Sequence, residues 1–360
     1  MTSVADRQSL RLISEGGTTK TGLCASFLFV LLALLLASGC QRGPQAHKFT
    51  GYTMGTTYHV TVVAEPAQVP ADLGEGIFAA VDAVDRAMTT YSDDSELMTL
   101  NRAVVGEPFP LSPELAEVLA ISGRLHRESQ GAFDPTVGPL VKLWGFGPGE
   151  SRAEPPTRKE IEALLSGVGF DGLVQDPSAG TATRVRDIQL DLSAVAKGYG
   201  ADKVADYLRS LGYKDFLVEV GGEMVLSGTK AGGELWRIAI ETPDASGRGV
   251  QRVIPVTDIA VATSGDYRNY FERDGQRFSH TLDPRTGYPV THNLASVTVL
   301  AATAAEADAL ATVFMVLGAE SSLAFAEQRR IPLFLLVKEN SGFREVSSTA
   351  FISHLGGSHD

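Results

Sequence analysis

Cysteine is nearly absent from this chain: there are two in 360 residues, Cys24 and Cys40, both near the N-terminus. The body beyond them has no thiol, so neither a disulfide framework nor a cysteine-based zinc site holds it together, and folding must rest on an apolar core. Basic residues are also in the minority, 31 Lys and Arg against 43 Asp and Glu, for a formal net charge of −12. That balance argues against nucleic acid or an anionic membrane surface as the main partner, and any phosphate compound must be held locally, by backbone amides, a few cations or a metal ion. The apolar run at 27–37 is too short to span a bilayer, which takes about 20 residues. No G-x-x-x-x-G-K-[ST] loop is present and no G-x-G-x-x-G follows a strand, which removes the familiar nucleotide-binding loops.

What is present begins with Arg7, Arg11 and Lys20, then the apolar run, then Ser38-Gly39-Cys40. This order is that of a secretory signal. It resembles a bacterial lipoprotein signal, in which Cys40 becomes the lipidated first residue; ordinary signal cleavage is the alternative. Residues 1–39 are thus expected to be a signal peptide, 40–49 a short polar tether and 50–352 one body. A lipid on Cys40 would hold the protein at the bacterial cell envelope, anchored to a membrane and facing the periplasm.

Along the body, 50–63 reads as a strand containing a turn at Met54-Gly55. Ile77, Val81, Val84 and Met88 recur at helical spacing. Ser112 and Pro113 open a second helix, and Thr157 with Glu160 forms a capping box for a third. Residues 188–192 read as a strand and 196–211 as a helix. From Phe216 onwards short strands dominate, including a pair joined across Asp274-Gly275, a strong hairpin signal. A strand at 295–300 leads into a helix capped by Thr303 and Glu306 and closed at Gly318. The pattern is α+β with antiparallel hairpins rather than a βαβ alternation, with no internal repeat.

Asp308 and Thr312 interrupt the apolar body of that last helix. Four residues apart, they share one face. Standing alone, the pair is most simply a solvated acid and a threonine bonded to its own backbone. The chain, however, carries an ordered series of motifs: M-G-T-T-Y, M-T-T-Y, G-A-F-D-P-T-V-G-P-L followed by L-W-G-F-G, D-L-S-A-V-A-K-G-Y, V-G-G-E, S-H-T-L-D-P-R-T-G-Y-P and A-D-A-L-A-T. Over about residues 50–340 this series closely resembles the ApbE family of FAD:protein FMN transferases, many of them periplasmic lipoproteins.

The resemblance implies a T-fold-related α+β fold, with FAD in a cleft and Mg²⁺ at its pyrophosphate. Carried over by motif, Met54, Tyr91, Ala132, Phe133, Asp134, Asp191, Lys197 and His280 would contact FAD. Asp308, Thr312 and the backbone carbonyl of Ala194 would hold the metal. The implied reaction moves FMN from FAD to a threonine of a target flavoprotein through a phosphoester bond and releases AMP. His280 is either the base for the threonine hydroxyl or a flavin-binding residue. The implied acceptors are flavin-bearing subunits of membrane redox complexes of the Na⁺-pumping NADH:quinone reductase or Rnf type.

The chemistry of the residues agrees. Mg²⁺ takes an octahedral shell of oxygens with one or two carboxylates, and one Asp, one Thr hydroxyl and one carbonyl suit it. Lys197 adds a point charge for a phosphate, and Tyr91, Phe133 and Met54 offer flat or pliable apolar surface to a ring system. Two alternatives stay open: a metal-dependent FAD pyrophosphatase yielding FMN and AMP, and a flavin-binding lipoprotein with no turnover.

Overall fold

In the computed structural model, which describes residues 43–146, 152, 154–243, 249–265, 270–273 and 276–356, the chain starts as a hairpin. Alternating exposure in QAHKFTGYT makes β1 (Gln45–Thr53), and the inward valines of TTYHVTVVA make β2 (Thr56–Ala64). Met54 and Gly55 both take positive φ (50° and 70°) and close the hairpin, with Gln45 opposite Ala64 and Thr53 opposite Thr56. Two successive left-handed residues are what a two-residue hairpin turn needs. The expected single strand is therefore two. The expected tether already enters the fold at Gln45, because its backbone pairs with β2.

Next come α1 (Leu73–Met88), α2 (Glu96–Arg102), β3 (Pro108–Pro110), α3 (Pro113–Glu128), α4 (Gly138–Leu143), α5 (Arg158–Leu165), β4 (Leu173–Asp176), β5 (Thr181–Arg184) and α6 (Ala196–Ser210). The strand-rich half holds β6 (Phe216–Val220), β7 (Glu223–Ser227), β8 (Trp236–Glu241), β9 (Val250–Val256), β10 (Ile259–Gly265), β11 (Tyr270–Arg273), β12 (Gln276–Ser279), β13 (Leu282–Asp283) and β14 (Tyr288–Pro289). The chain continues as β15 (Leu294–Ala301), α7 (Ala304–Leu317), α8 (Ala319–Arg329), β16 (Leu333–Glu339), β17 (Gly342–Ser347) and α9 (Thr349–Gly356).

Eight strands form one sheet in the order β1-β2-β6-β7-β10-β15-β16-β17, every neighbouring pair antiparallel. On one face, the valines of β2 and β6 meet Ile77 and Val81 of α1 and Val204 and Leu208 of α6. On the other, Leu226, Val261, Leu300 and Phe334 pack against Ile238 and Ile254 of the β8–β9 hairpin and against Phe351 of α9. Each such side chain stabilises by about 1.5–3 kcal/mol when taken fully out of water. The sheet is thereby covered on both sides. Among the described residues no helix is long and apolar enough to cross a membrane.

Two local expectations change, and one helix is added. Residues 188–192 are buried at Ile188, Leu190 and Leu192 but pair with no strand. Leu190 instead exchanges two hydrogen bonds with the Asn101 side chain (2.7 and 2.9 Å), and Asp191 N–H donates to the Pro135 carbonyl. The Thr303 cap is half a capping box: Thr303 accepts from Glu306 N–H, but the Glu306 carboxylate pairs with Arg124 at 3.0 Å. The helix closed at Gly318 is followed at once by α8, with Gly318 at φ 77°. The Asp274-Gly275 turn and the signal with Cys40 lie outside the described residues, although β11 and β12 pair as that turn requires.

Candidate functional site

Helix α7 is apolar on nearly every side, and eleven of its residues are buried, Asp308 among them. Such a helix is enclosed by core, so an acid on it needs compensating partners. Asp308 is 2% exposed and finds them on α6. The Gly198 backbone N–H donates to its Oδ2 at 3.1 Å, and the Lys197 ammonium lies 3.3 and 3.4 Å from its two oxygens. In a regular helix the Gly198 N–H would go to the carbonyl of Ala194; here it goes to Asp308, which leaves that carbonyl without this bond. Thr312 sits half-buried one turn further along α7. The three expected cation ligands are thus all oxygens. Asp308 and Thr312 share a helix face, and Asp308 meets the start of α6, just past Ala194.

Close approach of α6 to α7 depends on Gly198. A Cβ placed there would lie 2.2 Å from the Ala304 carbonyl oxygen. Four residues on, Asp202 uses its two oxygens to accept from Ala304 and Ala305 N–H, each at 2.8 Å, and so caps α7 from a neighbouring helix. Burial pushes the Asp202 carboxyl up to about 6, against the pull of those two N–H groups.

Lys197 has a second carboxylate partner that was not among the sequence-derived site residues. Glu223 Oε1 lies 3.1 Å from its Nζ, and the Ser193 carbonyl accepts at 3.3 Å. Glu223 opens β7 directly after Gly221 and Gly222, whose φ values are 60° and 103°. A pleat-spacing reading of V-G-G-E-M-V could have found it, because Glu223 falls on the inward side with Val225. Burial, then the negative charge of Asp308, raises the Glu223 carboxyl to about 8, with Lys197 pulling the other way. Burial disfavours the Lys197 ammonium, but Asp308 and Glu223 outweigh it and hold its pKa above the usual lysine value.

The remaining expected residues have partners of their own. Met54 donates its N–H to Asp85 at 3.0 Å, and its thioether faces Gly200 of α6. Tyr91, 70% exposed, stands beside Gly55 of the same turn. Asp191 accepts from Ser193 N–H and Oγ–H, which shapes the bend into α6. Ala132 and Phe133 are closed in the core. Asp134 turns its carboxylate inward to Thr136, Phe170 N–H and the His126 imidazole. The hydrogen bond to Asp134 raises the His126 pKa, partly offset by burial. These three residues thus build the loop, and the Asp134 carboxylate is not turned toward Lys197.

His280 follows β12 with its ring edge-on to Phe146, centroids 6.4 Å apart. Arg285 pairs bidentately with Asp283 at 2.8 Å twice, and its stem packs by Gly131. Among the described residues no group of three His, Cys, Asp or Glu gathers as a transition-metal site would. An oxygen set with an adjacent ammonium suits Mg²⁺ and a phosphate ester.

Comparison with known proteins gives a consistent picture. Residues 54–335 match the family model of the ApbE family. A FAD:protein FMN transferase from Vibrio cholerae is 42% identical over 91% of this chain and 98% of its own length. One from Haemophilus influenzae is 40% identical over 91% and 97%. Among solved structures, flavin transferase ApbE from Vibrio cholerae superposes with a TM-score of 0.80 at 41% identity, covering 86% of this chain and 99% of that one. The apo flavinyl transferase ApbE of Pseudomonas stutzeri also reaches 0.80, at 39% identity and coverages of 88% and 98%.

Proposed function

Given that the chain belongs to the ApbE family, we propose that it is a FAD:protein FMN transferase that attaches FMN to a threonine of an acceptor flavoprotein and releases AMP. The observation that carries this reading is the meeting of α6 and α7, where the Lys197 ammonium and the Asp308 carboxylate lie 3.3 Å apart, with Thr312 one helical turn further along α7 and Ala194 just ahead of α6 in the chain. The acceptor hydroxyl attacks the phosphorus on the FMN side of FAD. A new phosphoester O–P bond forms, the bridging P–O bond breaks, and AMP leaves with the electron pair.

Lys197 offers an ammonium to a pyrophosphate that the acidic chain would otherwise repel. Asp308, Thr312 and the Ala194 carbonyl would hold Mg²⁺, whose chemistry when bound is to neutralise charge developing on the pyrophosphate. Met54, Tyr91 and Asp191 would contact FAD near this centre, and Ala132, Phe133 and Asp134 would contact it from the loop beside Asp191. His280 either takes the proton of the attacking hydroxyl or holds the flavin; histidine is the side chain most often used in the first role. A lipid on Cys40 would keep the enzyme at the periplasmic side of a membrane, near flavin-bearing subunits of redox complexes of the Na⁺-pumping or Rnf type.

The test uses the purified protein with FAD, Mg²⁺ and an acceptor, and reads AMP, free FMN and acceptor mass. We expect the acceptor to gain one FMN, and to fail to do so when its threonine is replaced. Free FMN and AMP at the same rate without acceptor would replace the transferase by a pyrophosphatase. For the anchor, Cys40→Ser is expected to move the protein from the membrane to the soluble fraction of cells. Unchanged membrane association of that variant would remove the lipoprotein reading.

A further inference from the structure

Lys197 has one positive charge and two carboxylate neighbours. Its contact to Glu223 (3.1 Å) is shorter than its contacts to Asp308 (3.3 and 3.4 Å). Glu223 is an expensive residue to keep: it is 4% exposed, and among the described residues its Oε2 has no hydrogen-bond partner. A buried polar atom left unsatisfied is destabilising. Such an atom calls for an explanation.

The surrounding backbone is arranged to bring the two side chains together. The Gly221-Gly222 turn has positive φ at both residues, and a Cβ at Gly221 would come within 3.0 Å of the Lys197 stem at Cδ and 2.8 Å of Thr56 Cγ2. The turn thus leaves a slot for the lysine stem and delivers Glu223 at its tip. Asp308, meanwhile, meets the first turn of α6 through Gly198 N–H, where the helix dipole favours a negative charge whether or not the lysine is present.

We propose that Glu223 is a positioning residue for the cation site, an inference that rests on the reading above. By accepting the Lys197 ammonium at Oε1, it keeps the lysine from closing a one-to-one pair with Asp308, so that Asp308 can take a divalent cation while the lysine stays beside it. Without Glu223, a cation arriving at Asp308 would leave the half-buried ammonium with only the Ser193 carbonyl as acceptor, and a poorly compensated charge disfavours that arrangement. Glu223 removes that competition. The lysine then remains available to the pyrophosphate.

The test is Mn²⁺ titration of the purified protein, with free Mn²⁺ read by electron paramagnetic resonance and folding checked by thermal unfolding. Glu223→Met, which removes the acceptor oxygen, is expected to weaken Mn²⁺ binding at least about tenfold. Glu223→Gln, which retains an acceptor oxygen, should recover most of that loss. In a Lys197→Met background, Glu223→Met should change Mn²⁺ affinity by less than about twofold, because the two act as one coupled pair. Glu223→Ala in the same two backgrounds gives the comparison if the methionine variant does not fold. Parental Mn²⁺ affinity in Glu223→Met, or an equal loss with and without Lys197, overturns the proposal. Asp308→Ala separates the two readings: if it binds Mn²⁺ as tightly as the parent protein, the cation site itself is misplaced, whatever Glu223 does.

Discussion

Asp308→Asn is expected to fold and yet to lose metal-dependent turnover by at least about 10³-fold in kcat/KM, about 4 kcal/mol of transition-state stabilisation. The two halves of that result have different causes. An asparagine oxygen still accepts from Gly198 N–H, now 3.1 Å from Oδ2, and Lys197 keeps Glu223 as a partner. The melting temperature should therefore move by only a few degrees. What the amide cannot supply is the carboxylate charge that a hard divalent cation requires. Asp308→Ala removes the acceptor as well, so it should lose activity to the same extent and a further 1–3 kcal/mol or so of stability from the orphaned N–H. Full activity with Mg²⁺ in either variant would sink the metal assignment, and initial rates over a Mg²⁺ titration read it directly.

Gly198→Ala should be the most damaging single methyl in the chain's two central helices. In an ordinary exposed helix the change would stabilise by about 1 kcal/mol. Here the new Cβ would meet Ala304 O at 2.2 Å, Ala304 C at 2.5 Å and Ala305 N at 2.7 Å. All three are backbone atoms of the neighbouring helix, which cannot rotate aside. The helices must separate, and overpacking of this kind costs about 1–3 kcal/mol or more. The same shift stretches the Gly198–Asp308 and Asp202–Ala304 hydrogen bonds. We expect a net loss of about 2 kcal/mol in stability and a loss of turnover beyond what stability explains.

Gly200→Ala is the control. Its Cβ would meet only side chains, Val81 Cγ2 at 3.3 Å and the Met54 thioether at 3.4 Å. Its stability should stay within about 1 kcal/mol of the parent, since flexible groups can yield. Thermal unfolding of both variants decides the point, and a Gly198→Ala protein as stable as Gly200→Ala would show that α6 and α7 are not held at this distance.

Much of the architecture was legible because its causes are local. A cap acts within one turn of helix, as Ser112 does on Leu115 N–H and Thr157 on Glu160 N–H. Alternation along a strand acts between neighbours, which is why several short strands of the strand-rich half and the β11–β12 pair could be read directly. Asp308 and Thr312 were placed on one helix face by spacing alone. The family, too, was recognisable from the order of its motifs.

Other features required the folded chain. Whether the apolar stretch at 188–192 is a strand depends on what lies beside it, and what lies there is the Asn101 side chain rather than a strand edge. The side chain of Glu306 completes no capping box because Arg124, 182 positions away, attracts it more strongly. Lys197 and Asp308 are 111 positions apart, and Asp202 reaches the start of α7 across 102. Glu223 joins them from the sheet. By itself the sequence determined which elements form and which residue types are available for phosphate and cation chemistry, since propensity, capping and periodicity act over a few residues. Only the tertiary structure decided which of those charges share a buried site, because the low dielectric that makes their pairing matter exists only after distant segments have closed around them.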